Sequence, residues 1–550
     1  MKSHGYFKYL FAGVLLFVFS GFFSGNDLYF EISKNIDLFG AVYKEVSLNY
    51  VDDIDPEKFM QEGIKGMLNT LDPYTIFIDE NKKQDIDLIT SGKYGGVGIS
   101  IGVRGDNVTV VEVLDGYSAQ RQGIRIGDIL LEAGGTKITP KNMEDISNLV
   151  KGKPGTSVEL KVLRGDTDTL TFNLVREEVK VKNLIYYGFY PENSNNVYMK
   201  LTSFSRSAGD EVKKALQELK EKKEIKSIIF DLRGNPGGLL DVAVDIADKF
   251  LAKGKLVVTT KGREETSKKE YYATQEPMAG DARLIVLVNG GSASASEILA
   301  GAIQDHDRGV ILGTKSFGKG LVQTITPLDY NTSLKITTAK YYTPSGRCIQ
   351  KIDYSKGNDV IINTDSLIST PYSTDNDRVV YGAGGITPDT TVDFSIDGDL
   401  TMDLLAKGLF FKFADYYYYR YPDEKFSSIS DEKLIDEFTK YLKENGFVYK
   451  SESEKQLDDV IADATKKKLN DKIIADLKEA KDSFATLESG DLSLYRNEIL
   501  MEIRGELASR YLGSEGRIEE LLKYDDQFQT AYKVVSDPKV YDRLLNIKKQ

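Results

Sequence analysis

The sequence predicts an α/β layered core, preceded by a helical segment and a small β-rich module and followed by a helical region. Three observations point there. Between residues 179 and 395, strand-like and helix-like runs alternate, as a layered α/β protein requires. Between residues 91 and 178 the runs are short, β-branched and punctuated by glycine, as in Val108-Thr109-Val110-Val111-Glu112-Val113. From residue 396 to 550 the composition turns charged and the apolar spacing becomes helical. A chain of 550 residues that is 41% hydrophobic can fill several such cores. Its 72 Lys and Arg against 84 Asp and Glu leave a net charge of −12, which argues against nucleic acid or an anionic membrane surface as a main partner.

In chain order, residues 9–23 (YLFAGVLLFVFSGFF) are apolar or small throughout and follow Lys2 and Lys8, the pattern of an export signal. The run is short of the ~20 residues that span a bilayer comfortably. Residues 1–25 are therefore expected to be a signal peptide or an N-terminal anchor to an inner membrane, with the body in the periplasm or another extracytoplasmic part of a bacterial cell envelope. Residues 26–90 read as helical. Asp55 is placed to cap a helix that has Pro56 at its first position and Glu57 in its first turn. Met60, Ile64, Met67, Leu68 and Leu71 then form one stripe, a core or docking face, and Asp72-Pro73 ends it.

Two stretches of residues 91–178 are specific: Tyr94-Gly95-Gly96-Val97-Gly98-Ile99, and residues 118–135 (SAQRQGIRIGDILLEAGG). Together they resemble a PDZ domain, whose glycine-rich loop presents backbone N–H groups to a peptide's C-terminal carboxylate while the peptide adds as a strand to the sheet edge. In residues 179–395, stretches 197–204, 227–232, 283–288, 310–312 and 334–342 are strand-like, and 207–220, 239–250 and 294–304 are helical. In the helical region, Ser430 is placed as a cap, Leu434, Ile435, Phe438, Tyr441 and Leu442 share one face, and Asn445-Gly446 stops the helix. The tyrosines at 416–419 read as packing or interface.

Chemistry concentrates in three segments. The strand at 284–288 runs through Asn289-Gly290 into Gly291-Ser292-Ala293-Ser294-Ala295-Ser296-Glu297, where a helix begins. Ser294 would sit on a tight turn beside free helix N–H groups and the positive end of the helix, which suits a nucleophile whose intermediate carries an oxyanion. Ser294-Ala295-Ser296-Glu297 equally fits an S-x-x-E capping box, in which Ser294 merely caps the helix. Lys319, 25 residues after Ser294 in Ser316-Phe317-Gly318-Lys319-Gly320, is the candidate base. Residues 313–319 also match G-x-x-x-x-G-K, a phosphate loop. Gly320, however, stands where that loop needs Ser or Thr, and residues 321–327 look extended rather than helical. A lysine acting as a base near neutrality needs its pKa lowered by about 3 units, through burial. Gln323 is placed to hold the amine. The third segment, Asp231-Leu232-Arg233-Gly234-Asn235-Pro236-Gly237-Gly238, ends a buried-looking strand in glycines that can bring amides close to a ligand.

The alternatives lack material. The chain has only two histidines, His4 and His306, and one cysteine, Cys348. His306 follows Ser294 by 12 residues, about 18 Å along a helix, far beyond hydrogen-bond reach. It reads as a surface residue, and no Cys or His cluster for zinc can be assembled.

These segments, with residues 339–347 (AKYYTPSGR) and Gly385-Ile386-Thr387-Pro388-Asp389, resemble the carboxyl-terminal processing proteases, also called tail-specific proteases, over about residues 35–395. The resemblance implies a crotonase-like or Clp-protease-like α/β core with an inserted PDZ domain. It implies Ser294 as nucleophile, Lys319 as general base and Gln323 as the residue orienting it. It implies an oxyanion hole from the amides of Ala295 and of Gly237 or Gly238. Substrates would be protein or peptide C-termini, with no cofactor or metal and with an activator or adaptor protein as a further partner. Residues 396–550 lie outside the resemblance; a homo-oligomer formed through them is an expectation taken from some family members. Two other readings stay open: a non-catalytic PDZ scaffold, and a Ser-Lys hydrolase of small esters or amides.

Overall fold

A computed structural model describes residues 26–80, 91–165, 167–354, 361–362, 370–393, 398–450, 452–488, 492 and 495–547; the export-like run at 9–23 lies outside them. Among the described residues no helix is long and apolar enough to cross a membrane.

The most apolar runs form a six-stranded sheet in the order Leu184–Phe189, Asn196–Leu201, Ser227–Asp231, Arg283–Val288, Val310–Gly313, Thr390–Thr391. The first pair is antiparallel and the rest are parallel. Ser227–Asp231 and Val310–Gly313 are buried along their whole length, because this sheet is covered on both faces. Ile228 and Phe230 point into the layer of helices Ala208–Lys222, Leu240–Ala247 and Ala295–Asp305. Ile229, between them, faces the opposite layer, where Phe528, Ala531 and Tyr541 of helices Asp526–Ser536 and Pro538–Leu544 pack on Tyr198, Ile285 and Leu287. These two helices belong to the stretch that reads in sequence as a separate helical region. They return to the core and cover its second face.

A second sheet frames one side of the site. Its long strand Ser333–Tyr342 pairs with Leu321–Pro327, Ile76–Ile78 and Leu256–Gly262. The β-rich module is a sheet of Ile99–Arg104, Asn107–Val113, Ile129–Ala133, Ser157–Arg164 and Asp168–Val175, with helices Ser118–Gln122 and Met143–Val150. Ile99–Arg104 is an edge strand of this sheet, paired only with Asn107–Val113. The chain enters and leaves the module through Lys93–Gly96 and Glu177–Lys180, which pair antiparallel as a two-stranded ribbon.

Asp55 caps helix Pro56–Leu68 as its position suggests, accepting the Glu57 and Lys58 N–H groups at 3.1 and 3.3 Å. Its apolar stripe does not enter a core: no residue of this helix is buried, and Met67 is 52% exposed. The core sheet is already covered on both faces, so the stripe stays outside it, with Leu71 48% exposed. Residues 400–511 contribute a core of their own, in which Phe413 packs on Tyr417, Phe438 and Tyr441, so the tyrosine cluster contributes packing. Ser430 accepts the Lys433 N–H at 3.3 Å, and Leu434, Phe438, Tyr441 and Leu442 are buried.

Candidate active site

Strand Arg283–Val288 delivers the chain to a turn that is tied to the 231–238 loop at several points. Ser292 Oγ donates to the Leu232 carbonyl at 2.8 Å, Asn289 Oδ1 accepts the Gly234 N–H at 2.9 Å, and the Asn235 carbonyl accepts from Ala293 N–H and Ser296 Oγ at 3.0 and 2.9 Å. Ser294 then adopts φ 56° and ψ −112°, a conformation costly for a residue with a Cβ, before helix Ala295–Asp305 begins. Such a backbone persists only where its surroundings over-determine it, and here they do.

The glutamate of the S-x-x-E pattern does more than cap. Glu297 Oε2 accepts the Ser294 and Lys319 N–H groups, both at 2.9 Å; Oε1 accepts Ser316 Oγ–H at 2.5 Å and the Gly318 N–H at 2.7 Å. One carboxylate therefore joins the backbone of the candidate nucleophile to that of the candidate base. It is fully buried, and burial drives its pKa up to about 7 against the opposing pull of these hydrogen bonds. The sequence marked Glu297 as half of a capping box and gave it no part in the site, because its partners on the second loop are a tertiary matter. The G-x-x-x-x-G-K stretch thus turns on a carboxylate the amides that a phosphate loop would turn on a phosphate. Gly320 N–H goes to Gln350 Oε1 at 2.6 Å, and strand Leu321–Pro327 follows.

Lys319 Nζ lies 4.2 Å from the centroid of the Tyr74 ring. With Ser294, Gly237, Gly238, Gln323 and Lys335 it lines a cleft of about 350 Å³. Burial, and then the like charge of Lys335, push the Lys319 pKa down to about 8 against the pull of Asp72 and Glu297. Lys335 escaped the sequence reading because a lone lysine on a strand carries no signal. Gln323 reaches the same cleft, but its Nε2 donates to Thr337 Oγ1 at 3.4 Å and makes no hydrogen bond with Lys319. The cause is register: Gln323 stands directly across from Thr337 in the strand pair. The amine's neighbour is the Tyr74 ring, which nothing local to Lys319 reveals.

Gly237 has φ 97°, and a Cβ there would fall 2.6 Å from the Ala293 carbonyl and 2.8 Å from Ala295 N. The glycine lets the loop close on the Ser294 turn. Its own amide, an expected oxyanion donor, already donates to Asn235 Oδ1 at 2.9 Å. The Gly238 and Ala295 amides have no acceptor among the described residues. His306 sits at the far end of the Ser294 helix, with Nδ1 2.9 Å from Asp375 Oδ2 and Nε2 2.7 Å from the Leu256 carbonyl. Its side chain is only 9% exposed, so it is a bonded residue of the core margin rather than the surface residue its neighbours suggest.

In the β-rich module, Tyr94, Gly95 and Gly96 lie in the paired ribbon rather than in a free loop. Gly95 is needed for packing, since a Cβ would lie 1.9 Å from the Gly152 carbonyl. Between the ribbon and edge strand Ile99–Arg104 stand Val97 and Gly98, whose amides have no acceptor among the described residues.

Comparisons with known proteins agree with this anatomy. Residues 195–357 match the model of peptidase family S41, residues 109–164 that of a PDZ domain, and residues 400–535 one described as a probable PDZ-protease C-terminal helical domain. The chain is 38% identical over 323 residues to a carboxy-terminal-processing protease of Bartonella bacilliformis, covering 58% of this chain and 73% of the relative. It is 30% identical over 321 residues to the carboxy-terminal processing protease CtpA of Bacillus subtilis, covering 58% and 67%. Among solved structures, a photosystem II D1 C-terminal processing protease is 26% identical with a TM-score of 0.35, covering 64% of this chain and 85% of that one.

Proposed function

The chain belongs to the carboxy-terminal-processing proteases, serine peptidases with a PDZ domain, and on that premise we propose that Ser294 is its nucleophile and Lys319 its general base. The observation that carries the proposal is Glu297, which binds the backbone of both residues at the edge of one cleft. With a pKa of about 8, roughly a tenth of Lys319 is the free amine at neutral pH, enough to sustain turnover.

The proposed sequence of events begins with the base. Lys319 Nζ leaves the Tyr74 ring and takes the Ser294 Oγ proton as Oγ attacks the scissile carbonyl carbon. The resulting oxyanion accepts from the Ala295 and Gly238 amides, donors already in place where charge develops. The Lys319 ammonium returns the proton to the departing amine, leaving Ser294 acylated. Water then enters, Lys319 takes its proton as the water oxygen attacks the acyl carbon, and the C–Oγ bond breaks with the proton returned from Lys319 to Ser294 Oγ, releasing the acid. Leu239, Leu240, Ile298, Leu321 and Val322 line the cleft and suit an apolar side chain beside the cut.

The substrate is a protein whose C-terminus adds as a strand to the Ile99–Arg104 edge, its carboxylate received by the Val97 and Gly98 amides. The crotonase-like character of the core and the extracytoplasmic location argued from residues 9–23 belong to the same reading. The test is mass spectrometry of an unstructured protein with an apolar C-terminus after incubation with wild type, Ser294→Ala or Lys319→Ala. Wild type is expected to yield C-terminally shortened products, more slowly when the substrate's carboxylate is amidated, and neither variant any. Undiminished cleavage by either variant contradicts the assignment, and indifference to amidation favours a hydrolase that does not read chain ends.

A further inference from the structure

Arg233 opens the loop that ends at Gly238, and its guanidinium is gripped from two sides. On the core side, Nε donates to Asp231 Oδ1 at 2.9 Å and Nη2 to Asp231 Oδ2 at 2.6 Å. On the other, Nη1 donates to Asp525 Oδ1 and to Gln527 Oε1, both at 2.9 Å, and Nη2 to Asp525 Oδ2 at 2.6 Å. Burial alone would raise the Asp231 pKa; the Arg233 charge and hydrogen bonds outweigh it and hold the group down at about 2. Asp231 by itself leaves Nη1 without an acceptor, a costly state for a guanidinium with 12% of its side chain exposed. Asp525 and Gln527, 292 and 294 residues further along the chain, complete the set.

The far anchor is independently rigid. Asp525 is the N-cap of helix Asp526–Ser536 and accepts the Phe528 N–H at 2.9 Å. Phe528 packs edge-on against Tyr198 at 5.1 Å, Gln527 Nε2 donates to the Val392 carbonyl at 2.6 Å, and Tyr541 OH bonds the backbone of Leu284. The near end of the loop is thus held to a helix that packs on the core sheet, while its middle is tied to the nucleophile turn through Asn289 and Asn235.

We propose that Asp525 is a positioning residue of the protease: acting through Arg233, it fixes the loop that carries the Gly238 amide relative to Ala295, so that the C-terminal helices complete an oxyanion site whose last residue, Ala295, lies 230 positions upstream of Asp525. The inference rests on the reading of Gly238 and Ala295 as the oxyanion donors. Asp525→Asn is the discriminating variant, because asparagine caps a helix as well as aspartate does but cannot grip both Nη groups with a charge. It is expected to lower kcat by about tenfold to a hundredfold with KM changed by less than about twofold. A substrate-like peptide aldehyde, which forms an oxyanion on Ser294, should lose affinity by a similar factor; the matching alcohol, which forms none, should not. Gln527→Ala should move the aldehyde-to-alcohol ratio in the same direction and less. Because it is a ratio of affinities, it reports only on folded enzyme. An unchanged ratio in Asp525→Asn, or equal loss of both inhibitors, overturns the inference. Wild type binding the aldehyde no better than the alcohol would instead contradict the oxyanion assignment itself.

Discussion

Ser294 and Lys319 arrive on two turns held by the same carboxylate, yet the two side chains differ in how far they are prepared. Around Ser294 the backbone is forced to φ 56°, its N–H is bound by Glu297 and its carbonyl accepts Tyr341 OH at 3.1 Å. Lys319 shares the Glu297 anchor through its N–H, but its Nζ makes no hydrogen bond among the described residues and rests against the Tyr74 ring. The difference matches the roles proposed for the two residues. Charge develops at a fixed point beside the nucleophile, so donors set there in advance lower the barrier. The base must meet a hydroxyl, a departing amine and a water in turn, which favours a long side chain on a fixed stem.

The largest expected effect removes either member. Ser294→Ala and Lys319→Ala should each lower kcat by about 10⁴-fold or more, and the double variant should lose little beyond that, since residues acting as a unit are not additive. Additive losses, measured by single-turnover cleavage, would mean that the two do not share a step. Next is Glu297→Gln, which keeps the shape but leaves an amide facing four donors; kcat should fall about a hundredfold and the denaturant midpoint should drop. An effect on stability alone would reduce Glu297 to a packing residue. Gly237→Ala tests the preformed side directly: its Cβ would press on the Ala293 carbonyl and Ala295 N, and kcat should fall at least about tenfold with KM less affected. The smallest effect tests the mobile side. Lys335→Met removes a like charge, so the Lys319 ammonium becomes easier to keep; the rise of kcat/KM with pH should move upward, and the rate at neutral pH should fall a few-fold.

Much of this was legible in the chain. The strand at 283–288 and the helix after Ser294 could be read because continuous apolar runs, glycine turns and capping residues are local signals. Scarcity of histidine turned attention to Lys319, and Gly320 weakened the phosphate-loop reading. What escaped lies between segments remote in sequence. Glu297 reaches Ser316, Gly318 and Lys319 across two loops; Tyr74 and Lys319 meet although 245 positions separate them. Asn235 takes the Gly237 amide and leaves that of Gly238 without an acceptor among the described residues, a choice that spacing does not express. Gln323 was expected at the lysine because it follows by four residues, but on a strand that interval sets no contact, and the cross-strand partner Thr337 takes its amide.

The most direct test of the dyad is the pH dependence of Ser294 labelling by a fluorophosphonate, which needs the deprotonated nucleophile but neither the PDZ domain nor a protein substrate. The rate should climb with pH, reach half its plateau near the Lys319 pKa of about 8, and be all but abolished in Lys319→Ala. A flat profile between about pH 6 and 9, or Lys319→Ala labelled as fast as wild type, would contradict Lys319 as the base.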